Sequence, residues 1–341
     1  MRLIQAMAGG AQGGAEAFFD RLLPALARAG LEQRALVRPA AGRLEHLAEA
    51  GIDAVPLRFG GPLDLASRWR FAREVRRYRP EVVLTWMRRA SQACPKGPFV
   101  HAARLGGYYK LASFRRCDHL IANTLDLCDY IRRNGWPSER VHYLPNFVSE
   151  RRAAAVPRSQ YDTPDDVPLL LALGRYHRVK AFDVLLQALA EAPGVHLWLV
   201  GAGQERPRLE KLCDELGLAA RARLIGWQPD PAPYYAAADV VVCPSRHETL
   251  GNVVIEAWAQ SRPVVAAASA GPAALLDEGR NGLLVPVDDA GALAGAIRRL
   301  VSAPALAQEL AQAGHADYLR DFTETAVVAR YLEFFQAIIR R

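Results

Sequence analysis

Lysine is almost missing from this chain. Four lysines (Lys96, Lys110, Lys180, Lys211) stand against 39 arginines in 341 residues. So strong a bias reflects the base composition of the coding DNA, and it makes each retained lysine conspicuous. Cysteine is scarce as well. The five residues Cys94, Cys117, Cys128, Cys213 and Cys243 are odd in number and no two form Cys-x-x-Cys. A disulfide framework and a zinc site are both excluded, and reduced core or boundary thiols are expected. No apolar run reaches about 18 residues, so no transmembrane helix is expected. The stretch after Met1 is too short for a signal peptide's apolar region. Neither Gly-x-Gly-x-x-Gly nor Gly-x4-Gly-Lys-Ser/Thr occurs, which weakens dinucleotide and P-loop readings. Asp-x-Asp is absent too, so no acidic pair stands ready to bridge a diphosphate through a metal. No metal site and no cofactor are expected. No internal repeat, low-complexity tract or nucleic-acid recognition motif is present, and nucleic acid is not an expected partner.

What is present is a chain rich enough in hydrophobic residues (51%) to fill sizeable cores, and long enough for two domains. Its net charge of +7 is unevenly divided. Residues 1–150 carry +9 and residues 151–341 carry −2. The basic half either solvates itself with arginine or meets an anionic partner.

Strand-like and helix-like segments alternate throughout. In the first half, RLIQAMA, QRALVRP, AVPLRF, EVVLTW, FVHAAR, DHLIAN and RVHYLPNFV read as strands. Helices are predicted over Ala15–Ala29, near 43–50, over about 64–79 and from Thr124. Residues 149–166 are polar and contain two prolines, and read as a linker. The pattern then restarts with VPLLLALG, VHLWLVGAG, ARLIGW, DVVVCPS, RPVVAAAS and NGLLVPV, separated by helices. Val328, Tyr331, Phe335 and Ile338 give the last helix an apolar face. Buried strands flanked by helices imply parallel sheets. The expected fold is α/β: two doubly wound Rossmann-like domains facing each other across a cleft that holds the ligand.

Three motifs carry chemistry. GGAQGGAE (Gly9–Glu16) joins the first strand to the first helix; it is either a plain tight turn or a backbone cradle for phosphate. In LGRYHRVKAFD, Arg175 and Lys180 follow the first strand of the second half. They are two surface cations or a pair suited to a diphosphate. In PSRHETLGNVVIEAWAQ, Glu248 and Glu256 lie eight positions apart. That spacing alone occurs by chance about once in a chain with this many glutamates. Thr249, Leu250, Gly251 and Asn252 open a helix whose amides can hold a phosphate. Glu256 lies among apolar neighbours and needs a partner, either ligand hydroxyls or an arginine.

In order along the chain, GGAE, LGR…K, LVGAG, Glu-x7-Glu, PVVA and NGLLVP make a set that resembles the retaining GT-B glycosyltransferases of family 4. The resemblance implies a nucleotide-diphospho-sugar donor, UDP-sugar in preference to GDP-sugar, bound mainly by the second half. It implies that Arg175 and Lys180 hold the diphosphate, Glu256 the ribose and Glu248 the donor sugar. Glu248 is thereby the catalytic residue. The amides of Gly251, Asn252 and Val253, beside Leu250, and of Gly13 and Gly14 complete the donor cradle. Domains of 1–150 (acceptor) and 151–324 (donor) follow, with the helix at about 325–341 returning to the first. The sequence departs from the family at Ala181, Leu250 and Gln260-Ser261-Arg262. The family's mid-domain histidine is hard to place. His101 is the nearest candidate, but a buried structural histidine is the better reading. His177 and His247 flank the donor residues.

The implied reaction is metal-independent transfer with retention, by front-face attack of an acceptor hydroxyl, onto a lipopolysaccharide or other cell-surface glycan. Two alternatives are a nucleotide-sugar epimerase and a binding module with a dead donor site. The anionic acceptor, a glycan or glycolipid, would meet the basic half. In DLASRWRFAREVRRYRP, Leu65, Trp69, Ala72 and Val75 are expected to be buried, leaving six arginines to face solvent or an anionic membrane. The expected location is cytoplasmic, with peripheral contact at the inner face of the plasma membrane as the membrane-bound option.

Overall fold

The computed structural model describes residues 1–10, 13–40, 42–61 and 63–340. It divides into two units, Met1–Phe147 with Glu324–Arg341, and Val148–Thr323. The first unit runs β1 (Arg2–Met7), α1 (Gly14–Arg28), β2 (Glu32–Val37), α2 (Arg43–Glu49), β3 (Asp53–Pro56) and α3 (Leu65–Tyr78). It continues with β4 (Val82–Trp86), α4 (Met87–Ala93), β5 (Val100–Leu105), β6 (His119–Ala122), α5 (Leu125–Arg133) and β7 (Val141–Tyr143). Its described strands form one sheet in the order β3-β2-β1-β4-β5-β6-β7, and the recorded pairings are parallel.

The second unit repeats the scheme. It comprises β8 (Leu169–Leu173), α6 (Phe182–Ala190), β9 (His196–Val200), α7 (Arg206–Glu215), β10 (Ala222–Gly226), α8 (Ala232–Ala237) and β11 (Val240–Cys243). Then come α9 (Asn252–Ala259), β12 (Val264–Ala267), α10 (Ala270–Leu275), β13 (Leu283–Val285), α11 (Ala290–Ser302) and α12 (Pro304–Asp321). The order is β10-β9-β8-β11-β12-β13. Each sheet therefore reverses direction once, at β1/β4 and at β8/β11. Loops leaving the carboxyl ends of two such strands diverge and leave a crevice, where ligands of this fold bind.

The last helix, α13 (Glu324–Ile339), belongs to the first unit. Val327, Val328, Tyr331, Phe334, Phe335 and Ile338 bury themselves with Phe18, Phe19 and Trp86. Arg104 sits buried in this core, and among the described residues no carboxylate pairs with it. Its guanidinium donates to the Tyr331 hydroxyl (2.8 Å) and to Asn146 Oδ1 (2.6 Å). It also lies 4.6 and 4.9 Å from the ring centroids of Phe18 and Trp86, whose negative faces attract it.

The alternation read from sequence is present, with α4, α8 and α10 additional to it. These are six or seven residues long, too short to establish a period. The expected buried stripe on α3 holds at Val75 but fails at Leu65 and Trp69. Leu65 and Trp69 are 72% and 59% exposed, Ala72 is half-buried, and beside Val75 the helix buries Ser67, Phe71 and Glu74. Polar residues can occupy that face because each is satisfied. Glu74 accepts from Arg34 (2.8 Å), and the Ser67 hydroxyl bonds to Asp64 (2.6 Å) and accepts from the Phe59 amide (3.1 Å). All five cysteines are buried and unpaired. Among the described residues no helix is long and apolar enough to cross a membrane.

Candidate functional site in the second unit

The β8/β11 switch point brings two of the sequence motifs together. The loop after β8 carries Gly174, Arg175 and Lys180, and the loop after β11 carries Ser245 to Leu250. Lys180 donates to the Glu248 carboxylate, with the two side chains 21% and 18% exposed. Arg175 is exposed, with no hydrogen bond or ion pair to a described residue, so its fork is available to an incoming anion.

Backbone contact holds the β8 loop in place. Tyr176 N–H donates to the Ala202 carbonyl (2.9 Å), and Glu205 N–H to the Tyr176 carbonyl (3.1 Å). A Cβ on Gly203 would lie 2.8 Å from the Tyr176 nitrogen, and one on Gly201 would strike the Gly174 carbonyl. The glycines of LVGAG thus permit two loops to touch. Arg246 then ties the loops together. It binds both Asp183 oxygens (2.9 and 3.1 Å), donates to the Arg178 carbonyl (2.7 Å) and pairs with Asp288 (2.5 Å). Burial opposes the Asp183 charge, but the Arg246 guanidinium holds its carboxyl below the usual range. His177 caps the short turn at Arg178–Lys180 by accepting from the Val179 amide (3.3 Å), while His247 is exposed.

Leu250 is buried and Gly251, at φ 79°, turns the chain into α9. That left-handed conformation suits glycine, and it puts the Asn252 and Val253 amides at the helix start, where no intrahelical acceptor exists. Gly271, at the start of α10, buttresses this turn. Its amide donates to the Glu248 carbonyl (2.7 Å), and a Cβ there would lie 2.7 Å from the Leu250 carbonyl carbon. One turn into α9, Glu256 accepts a hydrogen bond from the Tyr235 hydroxyl (2.7 Å). The Tyr235 phenol is thus a partner of Glu256 that the sequence did not suggest. Burial, reinforced by the Glu256 charge, pushes the Tyr235 hydroxyl well above its ordinary range, so it stays a donor. Tyr235 and Gly271 escaped sequence reading, although a glycine four residues beyond strand β12 was a usable signal. Among the described residues no group of three or more His, Cys, Asp or Glu gathers as a metal site.

Gly13 and Gly14 lie in the first unit, at the start of α1; Ala11 and Gln12 of the same turn lie outside the described residues. The Glu16 carboxylate folds back over Gly9 and Gly13, where a side chain on either glycine would collide with it. His101 lies within β5 and is 5% exposed. Its Nε2 is 2.9 Å from Thr85 Oγ1 and 3.7 Å from Cys117 Sγ, and burial lowers its pKa to about 4. It is a neutral structural histidine.

Comparison with known proteins extends this picture. A model of Glycosyltransferase Family 4 matches residues 12–152, and one of Glycosyl transferases group 1 matches residues 167–303. The lipopolysaccharide core biosynthesis glycosyltransferase LpsE of Rhizobium meliloti (strain 1021) is 39% identical over 338 residues, covering 95% of this chain and 96% of LpsE. The lipopolysaccharide core biosynthesis glycosyltransferase LpsD of the same strain is 36% identical over 329 residues, with 96% of each chain covered. Anabaena HepE, solved in complex with UDP, superposes with a TM-score of 0.86 at 19% identity, covering 99% of this chain and 100% of HepE.

Proposed function

The chain belongs to glycosyltransferase family 4 and has the GT-B fold, and on that premise we propose that it transfers a sugar from a UDP-sugar to a lipopolysaccharide core acceptor, with retention and without a metal ion. The observation that carries this reading is the pairing of Lys180 with Glu248 at the β8/β11 switch point, on loops that also carry the exposed Arg175 and lead into the start of α9. The names of LpsE and LpsD support the acceptor class, and the HepE complex with UDP supports a uridine nucleotide.

In this reading the diphosphate sits against Arg175, Lys180 and the Asn252 and Val253 amides. Charge develops on its β-phosphate as the anomeric C–O bond breaks, and fixed cations and amides stabilise that charge. Glu256, aligned by Tyr235, accepts the ribose hydroxyls. Glu248 contacts the donor sugar while sharing the Lys180 ammonium. The acceptor hydroxyl attacks from the face that the diphosphate leaves, and its proton passes to a departing phosphate oxygen. Gly13 and Gly14 open α1 of the first unit, and a helix start of this kind can hold an anion. That unit also meets the anionic membrane, through the exposed Leu65 and Trp69 and the arginines around them.

The test is incubation of the protein with UDP-glucose, UDP-galactose or a GDP-sugar and core oligosaccharide from a strain lacking this enzyme. Chelator is present throughout, and product is read by mass spectrometry and NMR. One UDP-sugar is expected to yield an elongated core with its anomeric configuration kept. Transfer only after metal addition, or an inverted product, would refute the corresponding part.

A further inference from the structure

A cavity of about 290 Å³ lies in the first unit, between the start of α3 and α4. Arg68, Arg88 and Arg89 line it, with Gln92, Phe59 and Asp64. Many arginines of this protein are engaged: Arg34 with Asp53 and Glu74, Arg43 with Asp20, Arg158 with Asp239. These three are not. Among the described residues none of them has a hydrogen bond or an ion pair, and all are exposed. Three unneutralised guanidiniums around one concavity repel one another and attract an anion.

The acidic residue of the cavity does not cancel them. The Asp64 carboxylate already accepts from the Ser67 hydroxyl (2.6 Å), the Gly60 amide (2.8 Å) and the Ser67 amide (2.9 Å). It is committed to capping α3, and three guanidiniums outnumber it. The backbone around the cavity is also strained. Phe59, which lines it, has φ 49°, and Met87, immediately before Arg88, has φ 62°. Bulky residues adopt this left-handed conformation at a cost, and such strain gathers at functional sites.

Position connects the cavity with the reaction. Arg88 and Arg89 follow the carboxyl end of β4, the strand beside β1 at this sheet's switch point. The glycine-rich turn leaves the carboxyl end of β1. Tyr109 senses both loops: burial raises its pKa, the Glu16 charge adds to the rise, and the Arg88 charge opposes it. We propose that this cavity binds an anionic group, a phosphate or a carboxylate, carried by the acceptor sugar. The assignment rests on the glycosyltransferase reading, since only that reading supplies an acceptor.

The test uses the full chain saturated with UDP, so that the donor site is filled. Calorimetric titration with inorganic phosphate, and separately with acetate, measures anion binding. Wild type is expected to bind one of them, and R88A/R89A to bind it at least tenfold more weakly. Arg68→Glu, a single change on another element, should reproduce the loss if the double variant misfolds by circular dichroism. Acceptor kinetics then use core oligosaccharide before and after dephosphorylation or carboxyl reduction. The treatment that raises the wild-type KM, but leaves the KM of R88A/R89A alone, identifies the group. Equal anion binding by wild type and both variants, or no binding by wild type, overturns the proposal. An R88A/R89A acceptor KM within twofold of wild type does so too. Anion binding lost in the variants of a protein that transfers no sugar would keep an anion site but overturn its assignment to an acceptor.

Discussion

The Lys180 ammonium and the Glu248 carboxylate are paired, joining the loop after β8 to the loop after β11. Each is about four-fifths shielded from solvent, so each depends on the other for neutralisation. A diphosphate entering this site competes with Glu248 for Lys180. Glu248→Gln should therefore leave UDP affinity intact or raise it, while slowing transfer by roughly 100- to 1000-fold. Lys180→Ala should weaken UDP binding by about tenfold or more. Calorimetry and initial rates measured together separate the two effects, and parallel losses of binding in both variants would refute the competition.

Gly271 predicts a different kind of defect. A methyl there would press on backbone atoms of Leu250 and Glu248, which cannot swing aside as a side chain can. Gly271→Ala should cost about 1–3 kcal/mol of stability. It should also reduce kcat by displacing Glu248 and the Gly251 turn. A variant with wild-type melting temperature and kcat would show that the loop adapts freely.

His101 gives stability a pH dependence. Its pKa falls from 6.5 unfolded to about 4 folded because burial disfavours the cation. The unfolded chain therefore takes up a proton below about pH 6.5 that the folded chain refuses until about pH 4. Stability falls as pH drops through that window, by roughly 1.5 kcal/mol between pH 6.5 and 5. Urea unfolding at both pH values should show this loss in wild type and a smaller one in His101→Gln.

Arg104 and Tyr331 fasten the last helix to its unit. Tyr331→Phe removes the hydroxyl that accepts from a buried guanidinium and should cost about 1.5–3 kcal/mol. Burial raises the Tyr331 pKa, so the contact should not weaken at mildly alkaline pH. Denaturant unfolding of the two proteins at pH 7 and 9 checks both statements.

Leu63, Leu65 and Trp69 are 94%, 72% and 59% exposed near the start of α3, among Arg68, Arg70 and Arg73. Apolar side chains ringed by cations suit an anionic lipid surface. Sedimentation with phosphatidylglycerol vesicles should show binding at low salt that fades as salt rises. L65A/W69A should bind about tenfold more weakly. Failure of the wild type to sediment would remove the membrane from the functional reading.

Much of this protein was legible before its coordinates. The alternating strands and helices have periods of two and 3.6, a local property carried by neighbouring residues. The glycines of LVGAG and the turn at Gly251 were visible as punctuation, and Glu248 and Glu256 as carboxylates in the right order. Short α4, α8 and α10 were not visible, for want of a full period. On α3 the apolar spacing Leu65–Trp69–Ala72 misled, because Ser67 and Glu74 become buriable only when Asp64 and Arg34 arrive to satisfy them.

The amino-acid sequence by itself determined the fold class, the uneven charge and the residue types available for donor chemistry, since composition and periodicity are properties of the chain alone. Only the tertiary structure decided which of them meet. Lys180 reaches Glu248, 68 residues away, because the sheet pairs β8 with β11 in parallel. Tyr235 reaches Glu256 because α8 and α9 pack together, and Arg68 reaches Arg88 and Arg89 because α3 and α4 flank one cavity. Partnership through space depends on strand order and packing, which no local pattern encodes.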